Sequence, residues 1–177
     1  MAIPFISVRH PRPHDIVDDP VEVAGVGTGF EGTLQLRLRN HAGAEIAQKH
    51  FNVGGTGIWG NFFVRIDVPG IPERPRGSLE VFEFSAEDGS EIHKRVVPIV
   101  FGRALVDPFT GFTIHTVAPG DTLSEIASAF YGDPSKFRII FAANRDQLDD
   151  PDRIQPGQVL QIPAIDLDGD GQADATR

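Results

Sequence analysis

The sequence predicts an α+β protein of two domains, an all-β sandwich followed by a small βααβ unit. Apolar and polar residues alternate from residue 3 to residue 101, whereas helical spacing replaces this alternation after residue 121. The 19 Gly and 14 Pro supply turns between short strands. A chain of 177 residues suits two small domains, which we place at 1–101 and 112–164. A linker at 102–111 would join them, and an acidic tail would follow at 165–177.

Short strands are predicted throughout the N-terminal domain. In GTLQLRLRN, the leucines Leu34, Leu36 and Leu38 alternate with polar residues, so the leucines would face a core and the arginines would face solvent. Similar runs occur in PVEVAGVG, NFFVRIDV, SLEVFEFSA and HKRVVPIVF. About seven such strands indicate an antiparallel, immunoglobulin-like sandwich, because each apolar face needs a second sheet to cover it.

Three segments of this domain resemble a known family. They are ISVRHPRP, PVEVAGVGTGFEGTLQLRLRN and GSLEVFEFSAEDGSEIHKRVVPIVF. They are similar to Gmad2, an immunoglobulin-like domain of bacterial spore-germination and cell-envelope proteins. The resemblance implies an accessory or protein-binding module and transfers no catalytic residue.

The C-terminal domain has the order strand, helix, helix, strand. The strand FTIHTV precedes TLSEIASAF and PSKFRIIFAAN, whose apolar residues recur at helical spacing, and VLQIP forms the last strand. Thr122 and Glu125 have the spacing of a capping box at the start of the first helix. Gly132 would end that helix, and Asp133 would cap the second.

This unit resembles the LysM domain closely. The segments GDTL, FYGD, AANRDQL, IQPGQ and LQIP occur in the family's order and spacing between residues 112 and 163. The resemblance implies non-catalytic binding of N-acetylglucosamine-containing polymers such as peptidoglycan or chitin. The FYGD and NRDQL segments and the acidic RDQLDDPDR loop are closer to LysM domains of cytoplasmic potassium-binding proteins and of phage-tail or contractile-injection components.

The resemblance implies a glycan groove between the loop before the first helix and the loop before the last strand. The implied groove residues are Gly120, Asp121, Thr122 and Leu123 on one wall, and Asn144, Leu148, Ile154, Pro156 and Gly157 on the other. Backbone N–H and C=O groups would meet the acetamido group, and apolar side chains would lie under the sugar face. Leu148 and Ile154 are the stronger candidates for sugar contact, because an aliphatic residue exposed in a polar loop indicates a partner. In the alternative interpretation the residues of the first wall are structural: Gly120 provides a backbone angle for a turn, Asp121 and Thr122 cap the helix, and Leu123 belongs to the core.

The acidic tail IDLDGDGQADATR contains a DxDxDG motif. Alternating carboxylates before a glycine turn are typical of calcium loops, and the motif resembles the loops of dockerin-like repeats. The candidate calcium ligands are Asp166, Asp168, Asp170, the backbone oxygen of Gln172, and Asp174. The alternative is a solvated terminus.

Composition narrows the function classes. The net charge is −9, and residues 106–177 carry 12 acids against 5 bases, which disfavours nucleic-acid binding. No HExxH, GxSxG or P-loop motif is present, so we expect a protein that is not an enzyme and requires no cofactor, with Ca²⁺ the only candidate. No apolar run is long enough to span a membrane.

Three functions follow as hypotheses. The first is a glycan-binding protein of the cell envelope, in which the sandwich is an accessory domain that binds a protein partner. The second is an assembly component of a phage-tail-like or injection particle, and the third is a cytoplasmic module that responds to K⁺ or Ca²⁺. The N-terminal segment MAIPFISVRHPRP lacks the features of a secretory signal, which favours a cytoplasmic or particle location.

Overall fold

The computed structural model describes residues 5–55 and 57–165. The strands of these residues are β1 (Ile6–His10), β2 (Ile16–Val17), β3 (Val21–Gly27), β4 (Thr33–Asn40), β5 (Glu45–Asn52), β6 (Gly60–Ile66), β7 (Arg76–Phe84), β8 (Glu91–Phe101), β9 (Phe109–Thr116) and β10 (Val159–Ile165). The helices are α1 (Leu123–Tyr131) and α2 (Phe137–Ala143). The predicted α+β class is confirmed. Neither helix has the length and hydrophobicity needed to cross a bilayer.

Two sheets form the N-terminal sandwich. One has the strand order β1-β3-β6 and the other the order β2-β8-β7-β4-β5. As predicted, the leucines of β4 are fully buried between them. Strand β5, which pairs with β4, has no clear alternation in the sequence and is identified only by the structure. The sandwich core contains Ile6, Val17, Val21, Val23, Leu34, Leu36, Leu38, Val53, Phe62, Val64, Ile66, Val68, Leu79, Val81, Val97, Ile99 and Phe101.

Arg37 corrects the prediction that the arginines of β4 face solvent. Its side chain points away from the core side of the sheet, as expected, yet only 5% of the residue is exposed. The guanidinium lies 4.4 Å from the centre of the Phe82 ring and pairs with Glu80, Glu45 and Glu91. Neighbouring side chains on the outer face therefore cover a residue that alternation alone assigns to water.

The C-terminal unit is a two-stranded sheet with two helices packed against it. Strands β9 and β10 are antiparallel, and α2 packs on β10. The capping box of Thr122 and Glu125 is present at the start of α1, which ends at Gly132, and Asp133 accepts a hydrogen bond from Ser135 N as a cap. The predictions for the start and end of α1 are confirmed. Asp133 instead caps the 3-10 turn Pro134–Lys136 that precedes α2, and Lys136, the N-cap residue of α2, forms no side-chain cap. The core contains Val117, Leu123, Ile126, Ala127, Tyr131, Ile140, Leu148, Leu160, Ile162 and Ile165.

Residues 102–111, predicted as a linker, contain a 3-10 turn at Gly102–Ala104 and the first residues of β9. The ring of Phe109 packs on Gly102, where an added Cβ would lie 2.4 Å from it. Phe109 also joins a cluster with Ile16 and Val100 of the sandwich and Ala143 of α2. The chain between the two units is therefore packed into an apolar contact that both units share.

Candidate functional site

Two loops lie side by side where β9 ends and β10 begins. Val117 N donates to Gln158 O at 2.9 Å, and Gly157 N donates to Val117 O at 2.8 Å. We call residues 117–122 and 149–158 the paired loops. Because β9 and β10 are antiparallel, the end of one strand and the start of the other meet at the same edge of the sheet.

The first of the paired loops is a turn closed by Asp121. Asp121 N donates to Ala118 O at 3.1 Å, and Asp121 Oδ2 accepts a hydrogen bond from Ala118 N at 2.9 Å. The same oxygen lies 2.9 Å from His115 Nε2. The Ala118 N–H, followed by His115, lowers the pKa of Asp121 below its usual value of 3.8. Asp121 Oδ2 is therefore engaged in holding the turn.

Thr122 and Leu123 serve the helix that follows. Thr122 Oγ1 accepts a hydrogen bond from Glu125 N at 3.2 Å, and Glu125 Oε2 accepts one from Thr122 N at 3.0 Å. Leu123 is 2% exposed and belongs to the core. This corrects the prediction for Leu123, because a side chain buried to this extent cannot lie under a sugar.

Asn144 and Leu148 are also structural. Leu148 is expected from the sequence to contact sugar, because it would lie exposed in a polar loop. It is only 1% exposed, so this expectation is not met. Asn144 is fully buried, and its Nδ2 donates to Ile140 O at 2.8 Å and to Gln161 O at 2.7 Å. Its Oδ1 accepts from Gln161 N at 2.8 Å. Asn144 thus ties the end of α2 to β10 and has no side-chain group left for a ligand.

The remaining predicted residues, together with Asp121 and Thr122, stay at least partly accessible. Gly120, Pro156 and Gly157 are exposed, and Ile154 is half-buried against the core of the unit. Gly120 has φ 96° and Gly157 has φ 87°, backbone angles that a residue with a side chain rarely adopts. Within the paired loops, Gly120 and Gly157 therefore expose backbone that no side chain of their own covers, and Ile154 offers a partly exposed aliphatic side chain.

The residues that hold the loops together were not predicted from the sequence. Val117 and Gln158 join the two loops, and His115 contacts Asp121 across the turn. The His115 contact joins residues six positions apart across a turn, and no local pattern predicts it.

Metal ligands were predicted only in the acidic tail, and Asp166, Asp168, Asp170, Gln172 and Asp174 lie outside the described residues. Within residues 5–55 and 57–165, no group of three or more His, Cys, Asp or Glu side chains is arranged to hold a metal ion. The calcium site stays a prediction.

Comparison with known families agrees with this architecture. The model of the LysM domain matches residues 115–163, and the model of Gmad2, described as the immunoglobulin-like domain of bacterial spore germination, matches residues 5–90. The potassium binding protein Kbp of Escherichia coli O6:H1 is 36% identical over 109 residues, which cover 53% of this chain and 73% of Kbp. The chain belongs to the LysM family. Its N-terminal half is a Gmad2 domain.

Other relatives of this LysM protein share shorter segments. An uncharacterized protein of Deinococcus radiodurans is 49% identical over 57 residues, which cover 32% of this chain and 22% of that protein. The esterase Rv1288 of Mycobacterium tuberculosis is 46% identical over 70 residues, which cover 40% of this chain and 14% of the esterase. The chain thus spans less than a quarter of either relative. Both matched domain families are binding modules.

Proposed function

We propose that this LysM protein binds an N-acetylglucosamine-containing glycan, such as peptidoglycan or chitin, without cleaving it. The observation that carries the proposal is the pair of loops joined through Val117, which exposes backbone on both sides of a shared edge. LysM domains bind N-acetylglucosamine polymers in general, and the match covers both loops. The Gmad2 sandwich would serve as an accessory domain that positions the loops or binds a protein partner.

The geometry suits recognition of an acetamido sugar. Gly120 and Gly157 carry no side chain, so a sugar can approach their peptide groups and exchange hydrogen bonds with them. Ile154 offers an aliphatic surface for the apolar face of the ring. The glycan residues that remain in the proposal are Gly120, Pro156 and Gly157 through their backbone, the accessible Asp121 and Thr122, and Ile154 through its side chain.

The test is a pull-down of the chain on insoluble peptidoglycan and on chitin, with soluble chitooligosaccharide as competitor. Ile154→Ser would remove the aliphatic contact, and Val159→Ser is the matched control because Val159 is 50% exposed on β10. We expect the polymers to retain the wild-type chain and the competitor to abolish that retention. The Ile154 variant should bind about tenfold more weakly, a loss of about 1.4 kcal/mol in binding free energy, and the control should bind as the wild type does.

Circular dichroism and a melting curve would show that both variants are folded. Failure of the wild-type chain to bind either polymer would refute glycan binding, and the assembly hypothesis would then be the one to pursue. Release of soluble sugar fragments from either polymer would contradict the non-catalytic part of the proposal.

A second candidate function is cation binding, and the 36% identity to a protein named potassium binding protein favours it. The melting temperature of the full chain should then rise in KCl relative to NaCl at equal ionic strength, because a ligand bound only by the folded state stabilises that state. A CaCl₂ arm, repeated with the Asp168→Asn variant, tests the acidic tail separately. Equal melting temperatures in all three salts would exclude both cations.

A further inference from the structure

A cleft between the sandwich and the LysM unit forms a cavity of about 710 Å³. The sandwich contributes the turn after β4, the start of β7 and Pro98 of β8, while the LysM unit contributes the end of α2 and Arg145. The two units are fixed to each other nearby, since Ile16 N donates to Gln161 Oε1 at 3.2 Å and Gln161 Nε2 donates to His14 O at 3.0 Å. The cleft is therefore a feature of the whole chain.

The charge of this cleft is opposite to that of the protein. Arg74, Arg76, Arg145 and His41 line it, together with the amide of Asn40, and no carboxylate is among its lining residues. The chain as a whole carries a net charge of −9. Three arginines therefore line this cleft with no acid among its lining residues, and an anion bound there would offset their charge.

Arg74 is exposed and Arg76 is half-buried, and both differ from Arg37, which pairs with three glutamates. The ion pairs among the described residues include neither of them. The Nη2 atom of Arg76 is buried and has no hydrogen-bond partner within the described part of the chain. A buried charged donor without an acceptor is costly, so the Arg76 guanidinium is not fully satisfied by the described part of the chain.

Arg145 is held in place by contacts within the LysM unit. Its Nη1 donates to Leu148 O and Asp149 O, both at 2.9 Å, and its guanidinium lies 4.6 Å from the centre of the Phe141 ring. These contacts fix the plane of the guanidinium, so little side-chain entropy remains to be lost when a ligand binds.

We infer that this cleft binds an oxyanion, a carboxylate or phosphate group of a small ligand, through Arg74, Arg76 and Arg145. The planar fork of a guanidinium matches the oxygens of both groups and forms paired, charge-assisted hydrogen bonds with them. Because arginines of both domains contribute, the bound anion would also bridge the sandwich and the LysM unit. The inference concerns a site away from the paired loops and does not depend on glycan binding.

The test is isothermal titration of the full chain with inorganic phosphate and, separately, with citrate, at constant ionic strength set by NaCl. We expect saturable binding of at least one anion, and the arm that binds more tightly identifies the ligand as a phosphate or a carboxylate. Arg76→Gln and Arg74→Gln should each weaken binding about tenfold, equivalent to about 1.4 kcal/mol.

The control variant is Arg9→Gln, which removes the same charge from an exposed position outside the cleft. Arg74 is itself exposed, so its substitution leaves the fold intact and keeps the test decisive if the Arg76 variant is unstable. Absence of saturable heat with both anions would overturn the inference. An Arg74 variant that binds no more weakly than the Arg9 variant would do the same, because Arg74 would then contribute nothing beyond its net charge.

Discussion

At the scale of single residues, the predicted glycan site separates into two groups. Leu123, Leu148 and Asn144 are part of the structure of the domain, whereas Gly120 and Gly157 expose backbone. A residue can belong to a family motif because it supports the fold or because it contacts a ligand, and the motif itself does not distinguish the two. Solvent exposure makes the distinction, because only an accessible group can meet a ligand.

Asn144→Ala should destabilise the protein strongly. It removes the acceptor of Gln161 N and the donor to two carbonyls in a fully buried position, and each group left unpaired costs about 1–3 kcal/mol. We expect a loss of about 3 kcal/mol in the free energy of unfolding, measured in urea. Gln147→Ala is the control, since Gln147 also donates to a carbonyl of β10, Val159 O, but from an exposed position. Equal losses would show that burial of Asn144 is not the cause.

Glu91 should make the stability of the sandwich depend on acid pH. Hydrogen bonds from Arg37 and then Lys94 lower the pKa of Glu91 from 4.5 to about 2. The unfolded chain releases this proton near pH 4.5, so the stabilisation is complete above that pH and is lost as the pH falls towards 2.

Urea midpoints measured across this range should therefore change less in Glu91→Gln than in the wild type. Glu87→Gln, at an exposed position in the nearby turn, is the control and should keep the wild-type slope. Parallel curves for the Glu91 variant and the wild type would contradict the assignment.

At the scale of elements, the start of α1 is determined by local sequence. The side chains of Thr122 and Glu125 each bond to the backbone N–H of the other residue, as their spacing predicts. Thr122→Ala should lower the free energy of unfolding by about 1 kcal/mol, because the hydroxyl acceptor for Glu125 N is lost.

Ser124→Ala is the control for this prediction. Ser124 is exposed and lies two residues after Thr122, and its substitution should cause no loss of stability, because alanine favours helix. Both variants would be compared by chemical unfolding at neutral pH. A Thr122 variant as stable as the wild type would show that the cap contributes nothing to this helix.

At the scale of the whole molecule, the contact around Phe109 couples the two domains. Phe109→Ala should cost about 3–5 kcal/mol and separate the unfolding of the sandwich from that of the LysM unit, because it empties the cluster with Ile16, Val100 and Ala143. Calorimetry should then show two transitions in place of one. Phe112→Ala, on the same strand but 40% exposed, should retain a single transition. Two transitions already present in the wild type would refute the coupling.

Most of the fold could be predicted from the sequence, because periodicity and turn residues act over short distances. The leucines of β4 and the cap of α1 are examples in which a few neighbouring residues suffice. The cover over Arg37 could not be predicted, since its partners come from β5, β7 and β8. The candidate site was predicted as two loops, but the exposure of each residue depends on packing that no local pattern contains.

The sequence by itself determined the two-domain α+β class, the cap of α1 and the LysM loops. These depend on spacing and on backbone preferences that neighbouring residues impose. Only the tertiary structure decided that Leu148 is core, that residues 102–111 pack between the domains, and that Arg74, Arg76 and Arg145 line one cleft. The physical reason is that these contacts join residues far apart in the chain, and their positions are fixed only when both domains have formed and packed together.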